Sequence, residues 1–201
     1  QMPGQKRKGI VMLVIGIVRK NDDIKIEKLL KAVFALQKFR TAVIKSSEAA
    51  PELIRFFDTA GFDFIIISML PGRIRPVYLD ILILESTSAI SYELVKCVYG
   101  GTRLIYSIDS GMPQGFDHPN AISYGMSYRA EATASSVDDK FDGISFIYCL
   151  QRPIVTLGGD TLCAGEIPIV IPGINTHIEN ALAAVTCGMF CGVSDFKSAK
   201  I

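Results

Sequence analysis

A run of apolar residues ends in a polar turn, Arg19-Lys20-Asn21-Asp22-Asp23, and the chain then enters an amphipathic segment. A strand feeding a helix in this way is where many α/β proteins hold a nucleotide phosphate. The first N–H groups of such a helix are unpaired, and its dipole is positive at that end. Cradling the anion also needs glycine, whose freedom lets successive N–H groups turn toward it. No glycine stands between Val18 and Leu30. Asp22 and Asp23 suit the same N–H groups as caps, and their charge would repel a phosphate. The turn reads as a capped helix start, although Arg19 and Lys20 offer some positive charge.

Other chemistry-bearing residues are few. Cys187 and Cys191 lie one helical turn apart, but only two histidines, His118 and His177, could complete a zinc site, so buried thiols are expected. No C-x-x-C pair occurs among the five cysteines, and reduced thiols fit a chain without an export signal. Asp138, Asp139 and Asp142 cluster around Asp142-Gly143, a dipeptide of turn chemistry. His118, in "FDHPN", reads as a loop residue, and no Gly-x-Ser-x-Gly elbow is present. Asp109, followed by Ser110, ends a strand on the side where open α/β sheets bind ligands. It is a site candidate. No catalytic residue and no metal ligand is assigned.

The elements that must position these groups alternate. Residues 9–18 form an apolar run suited to a strand buried on both faces. From Ile24, positions 26, 29, 30, 33 and 34 repeat at helical spacing. "TAVIKSS" (41–47), "FDFIIIS" (62–68), "YLDILIL" (78–84) and "TRLIYSID" (102–109) read as further strands. "APELIRFFDTAG" carries Pro51 in a first helical turn, and "SAISYELVKCVYGG" (88–101) reads as a helix stopped by glycines. Alternating strands and helices predict a mostly parallel sheet covered on both faces. Beyond "NAISYG" (120–125) come short runs and turn residues, Asp142-Gly143 and Gly158-Gly159 among them. These predict a small antiparallel subsheet over 129–171. A last helix spans roughly 177–190, with Thr176-x-x-Glu179 as its capping box.

The expected fold class is therefore α/β, with a tail at 1–8 and a single domain over 9–201. A chain of 201 residues with 49% hydrophobic content can bury one such core. Its net charge of +1 gives no broad field for nucleic acid or a membrane surface. The apolar run Gly9 to Val18 is too short to span a bilayer and ends in charges. A cytoplasmic location is expected.

"IPIVIPGINTHIENALAAVTCGMFCGV" resembles the end of the central, ATP-binding domain of the Mur ligases, whose relatives include folylpolyglutamate synthetases. Pro172-Gly173, Asn180-Ala181-Leu182-Ala183-Ala184 and Gly192-Val193 match the family's pattern. Upstream, "LDILILES", Tyr92 with Lys96, "LIYSIDSG" and "AISYGMS" fall in the family's order, and so does an antiparallel subsheet containing Phe146. The resemblance implies a topology of the phosphate-loop type, with ATP and Mg²⁺ as cofactors and amide-bond formation as the activity. It also implies nucleotide or ligand contacts around Asp109, Asn175, His177 and Asn180.

The departures bear on that implication. Aligned on "VIGIV", the family's Gly-x-x-Gly-Lys-Thr loop falls on residues 18–24, "VRKNDDI", which lack both glycines, the lysine and the threonine. The family's Mg²⁺-binding glutamate after the third strand is matched by "IIISMLPG", without a carboxylate. One extra residue between Gly173 and Asn180 turns the family's His-Asn pair into Thr176-His177. The reading is a degenerate, non-catalytic relative that binds a ligand or a partner protein, a homo-oligomer included. The alternative is an ATP-dependent amide-bond-forming ligase of peptidoglycan-precursor or polyglutamate type, or a subunit of one.

Overall fold

The computed structural model describes residues 12–19, 25–70, 74–86, 91–111, 120–140, 143–172, 176–193 and 196. Among the described residues, eleven strands and four α-helices follow one another in chain order. They are β1 (Leu13–Val18), α1 (Lys25–Ala35), β2 (Thr41–Lys45), α2 (Pro51–Thr59), β3 (Phe64–Met69), β4 (Ile81–Leu84), α3 (Tyr92–Val95) and β5 (Arg103–Ser107). Then come β6 (Ala121–Tyr124), β7 (Ala132–Lys140), β8 (Gly143–Leu150), β9 (Ile154–Val155), β10 (Thr161–Leu162), β11 (Gly165–Pro172) and α4 (Ile178–Phe190). Nine strands form one sheet in the order β11-β8-β7-β6-β5-β4-β1-β3-β2, and β9 with β10 forms a separate ribbon.

β1 to β6 run parallel. The central strand β1 has neighbours on both sides and is rich in β-branched residues, as a strand buried on both faces requires. Ile15 and Ile17 point to one face and Val14 and Val18 to the other, and these face two distinct cores. The first core lies under α1 and α4. The second lies under α2, the segment 74–79 and α3.

The predicted antiparallel part is present, but as a continuation of the main sheet. A single parallel pair, Tyr124 with Ala132, joins β7 to β6, and β7, β8 and β11 then run antiparallel. Gly143 opens β8 at φ 151°, a conformation glycine takes readily, and an added Cβ there would meet the Ile171 carbonyl oxygen at 2.5 Å. Gly159 (φ 90°) turns β9 into β10. β11 forms an edge of the sheet, with Pro168 and Pro172 at alternate positions of the same parity.

Two elements differ from expectation. The helix predicted over 88–101 is confined, among the described residues, to Tyr92–Val95, with the Ser91 hydroxyl accepting from the Leu94 N–H at 3.3 Å. β-branched and aromatic residues follow, and Thr102 Oγ1 takes the Tyr99 N–H at 3.1 Å in place of a helical carbonyl. β4 starts later than predicted, at Ile81. The Asp80 carboxylate accepts the Val14 N–H at 2.8 Å and the Tyr99 hydroxyl at 3.0 Å, which ties that corner together by side-chain bonds. The predicted cap of α1 by Asp22 and Asp23 lies outside the described residues.

α4 is buried from Ala181 to Phe190 without a break. A helix apolar all round belongs inside a core rather than on a surface. Its one buried hydroxyl, on Thr186, pairs with the Tyr148 hydroxyl at 2.9 Å, so neither is left unsatisfied. α1 packs against α4 closely enough that a Cβ added at Gly188 would lie 2.6 Å from Val33 Cγ1. The Gly188→Ala protein should therefore lose about 1–3 kcal/mol through overpacking, a fall in Tm of roughly 2–10 °C in a chain of this size. A calorimetric Tm equal to the wild type's would contradict this account of the contact.

Candidate functional site

Parallel pairing brings the carboxyl ends of β1, β3, β4, β5 and β6 to one edge, together with the first turns of α1 and α4. Open α/β sheets bind ligands at this edge. Two groups of polar side chains occupy it.

The first group spans β1, β3 and α1. Ser68 stands in register between Ile17 of β1 and Lys45 of β2. Its hydroxyl donates to Glu27 Oε1 at 2.6 Å, and Arg19 Nε lies 3.5 Å from the same oxygen. The three residues are 7%, 2% and 4% exposed, so this is a buried ion pair and not a surface one. Glu27 sits in the first turn of α1, where the helix dipole favours a negative charge. Arg19 is fixed by its backbone as well, its N–H donating to the Met69 carbonyl at 3.1 Å. Beside the pair opens a cleft of about 380 Å³, with Lys28, Lys31 and Lys45 on its walls.

The second group surrounds Tyr124, the last residue of β6. Burial pushes its phenol well above the ordinary range, and the negative charges of Glu85, Glu179 and Asp109 push it further in the same direction. Asp109 lies in a short 3₁₀ turn (Ile108–Ser110) and is exposed. Gly125 follows Tyr124 at φ 152°, and a Cβ there would come within 3.3 Å of Asp109 Oδ2. The Ser110 hydroxyl donates to the Glu85 carbonyl at 3.0 Å, which links the ends of β4 and β5.

Of the residues singled out in the sequence, Asp109 and the start of α4 thus come to the same edge. His177 is exposed and occupies the N-cap position of α4, with no side-chain capping bond. Asn180, half-buried, donates from Nδ2 to Thr176 Oγ1 at 3.3 Å. The Thr176-x-x-Glu179 capping box is not formed. The helix begins one residue later than that box requires, so Thr176 precedes the cap and bonds to the Asn180 side chain instead. Asn175 lies outside the described residues. Glu27 and Tyr124 were not singled out. For Glu27 a signal existed, since a carboxylate on the apolar stripe of α1 is out of place unless paired. For Tyr124 there was none, because a tyrosine in a strand is ordinary.

Among the described residues, no group of three His, Cys, Asp or Glu side chains could hold a metal ion. No helix among the described residues is long and apolar enough to cross a membrane.

The large, mostly parallel sheet, its antiparallel extension and the long helix over one face make up the fold of the Mur ligase central domain. In particular, the chain superposes on a UDP-N-acetylmuramoyl-L-alanyl-D-glutamate–2,6-diaminopimelate ligase with a TM-score of 0.67 at 13% identity, covering 94% of this chain and 45% of that one. For the MurF ligase of Thermotoga maritima in complex with ADP the TM-score is 0.59 at 11% identity, over 96% and 49% of the two chains. For an FPGS–AMPPCP–folate complex it is 0.54 at 9% identity, over 89% and 58%. The chain spans less than half the length of these two ligases. Identities this low establish likeness of fold alone. No family model and no curated protein matches the sequence.

Breaking the buried pair by Glu27→Gln should cost about 3 kcal/mol, because it removes the negative partner of a buried guanidinium. An Arg19→Met/Glu27→Leu double variant should regain most of that loss, since a buried pair is often replaceable by apolar groups of similar volume. Urea melts of the three proteins measure both effects, and a Glu27→Gln protein as stable as the wild type would refute the first. A second outcome concerns pH. Tyr124 and Tyr148 both have folded-state values above the unfolded one, Tyr148 chiefly through burial. The stability they contribute is complete below about pH 10 and is lost as pH rises beyond it. Phenolate absorbance should therefore show these two ionising only with alkaline unfolding, whereas one step near pH 10 for all seven tyrosines would contradict it.

Proposed function

We propose that this chain is a Mur-ligase-fold domain that has given up the phosphate loop and serves as a non-catalytic binding domain, its ligand edge being the carboxyl end of the sheet. One observation carries the reading: the buried Arg19–Glu27–Ser68 group at the ends of β1 and β3. The resemblance puts a phosphate-loop lysine and a Mg²⁺-binding glutamate at this part of the edge. This chain instead spends its carboxylate on its own guanidinium.

The donor set does not suit Mg²⁺ with ATP. Both the Ser68 bond and the Arg19 contact fall on Glu27 Oε1, so a cation at this carboxylate would sit against a buried guanidinium. The resemblance puts a metal-binding glutamate after the third strand, where this chain has Ser68 and Met69 nearby and no carboxylate for a hard divalent ion. "VRKNDDI" lacks the glycines and the lysine that a phosphate cradle uses. ADP and AMPPCP are named for two of the similar structures; for this chain they are not the ligands proposed.

The edge keeps features suited to binding. A cleft of 380 Å³ beside three lysines is large enough for a small polar ligand. Asp109, His177 and Asn180, together with Asn175, are the contacts proposed at the other half of the edge. A second reading, docking on a partner or on another copy of this chain, is favoured by the exposed Phe56, Tyr78 and Tyr92, which are 62–77% accessible. The setting proposed is the cytoplasm, without nucleic acid or membrane as partner.

Millimolar Mg-ATP and Mg-ADP should leave the Tm unchanged within error, because stabilisation follows occupancy of the native state. A rise of several degrees would overturn the reading in favour of an ATP-dependent amide-bond-forming ligase or a subunit of one.

A further inference from the structure

The opposite edge of the sheet holds a separate cavity of about 170 Å³, between the start of β5, the start of β6, the Arg152–Val155 segment and the end of α4. Its polar lining is Arg103, Asn120 and Arg152. One water needs only about 10–15 Å³ of such space, so the cavity has room for a multi-atom group.

The charges there do not balance. Arg152 is engaged: its Nε pairs with Glu131 Oε1, and its Nη2 donates to the Ala121 carbonyl. Glu131 is also held by the Ser123 N–H at 2.8 Å, so that carboxylate is committed. Among the described residues, the Arg103 Nε is buried without a hydrogen-bond acceptor. Asp80, whose backbone carbonyl accepts the Arg103 N–H at 2.8 Å, has its carboxylate held by the Val14 N–H and the Tyr99 hydroxyl. Asn120 spends its amide N–H on the Gly100 carbonyl at 3.2 Å. A guanidinium cannot shed its proton at any ordinary pH, and a buried N–H donor without an acceptor is costly. Among the described residues the lining holds two arginines and no carboxylate, and Glu131, bonded to Arg152, is already taken.

We propose that Arg103, with Asn120 and Arg152, forms a binding site for one oxyanion group of phosphate size, distinct from the ligand edge at the carboxyl ends of the strands. The Arg103 fork supplies paired donors of the kind that match phosphate and carboxylate oxygens. Arg152, 43% exposed along its side chain, lies toward solvent and adds charge at the entrance. The apolar side chains Ile154 and Phe190, both buried, lower the local polarity and strengthen the attraction. The anion is either free or the terminal group of a larger molecule.

Inorganic phosphate is the first probe, compared with sodium chloride at equal ionic strength. At roughly ten times its dissociation constant, phosphate should raise the wild-type Tm by about 3–6 °C more than chloride does. The Arg103→Gln protein should lose that increment, and Arg103→Lys, which keeps the charge but not the fork, should lose most of it. Arg152→Gln should weaken binding several-fold. Phosphoserine distinguishes the sources: binding equal to or tighter than that of phosphate indicates a tethered group, and exclusion of phosphoserine indicates the free ion. No difference between phosphate and chloride, or a full increment retained in Arg103→Gln, overturns the proposal. If Arg103→Gln fails to fold, the ³¹P line width of phosphate titrated with wild-type and with Arg152→Gln protein decides. Equal broadening by the two proteins, or none by either, overturns it. Mg-ATP is absent from these measurements, so their outcome is independent of the nucleotide test.

Discussion

A helix that is apolar on every side survives only where protein covers it all round, and α4 imposes that condition on the rest of the molecule. Below it lie the parallel strands β4 to β6 and the antiparallel strand β7, and beside it lies α1. The sheet must be wide enough to span its length, which explains why β7, β8 and β11 continue the parallel strands and do not stand apart. Gly188 lets α1 approach, and the approach of α1 in turn delivers Glu27 to Arg19 and Ser68. The polar group at the ligand edge is therefore a product of how the apolar helix is buried.

The two ends of the parallel strands carry different chemistry. At the carboxyl ends, charge is neutralised internally around Glu27 and concentrated as acid around Tyr124. At the amino ends of β5 and β6, the described lining of the cavity carries Arg103 and Arg152 and no acidic side chain. Neither arrangement follows from the net charge of +1, which averages over both. Local charge, set by which strand ends meet, decides what each edge can hold.

Much of the fold was legible because burial dictates composition. Strands such as "FIIISM" and "ILIL", apolar on both faces, can be little else once glycines, prolines and polar turns bound them. The order of strand and helix then fixed the parallel sheet. The ends of elements were harder. The side-chain bonds of Asp80 at the start of β4 depend on residues brought close by the fold, whereas those of Ser91 and Thr102 that bound α3 reach only three residues along the chain. The start of α4 was misread by one residue because Thr176-x-x-Glu179 and His177 offer competing starts with the same local chemistry. The site was less legible still. Asp109 could be placed by the strand it ends, but the pairing of Glu27 with Arg19 and Ser68 joins three separate elements. Arg103 and Arg152, 49 positions apart in the sequence, meet only when β5 and the loop after β8 are set side by side.

Pro168 and Pro172 bear on how such a wide sheet stays finite. A row of free N–H and C=O groups at a sheet's border templates further strands, and so invites chain-to-chain growth and aggregation. Proline offers no N–H. Placed at two positions of equal parity in β11, it leaves gaps in the ladder that an incoming strand would need. Growth at that border is penalised, and the opposite border, β2, carries no proline, although Glu48 takes its Lys45 N–H at 3.2 Å. Any strand borrowed from another chain would be added there.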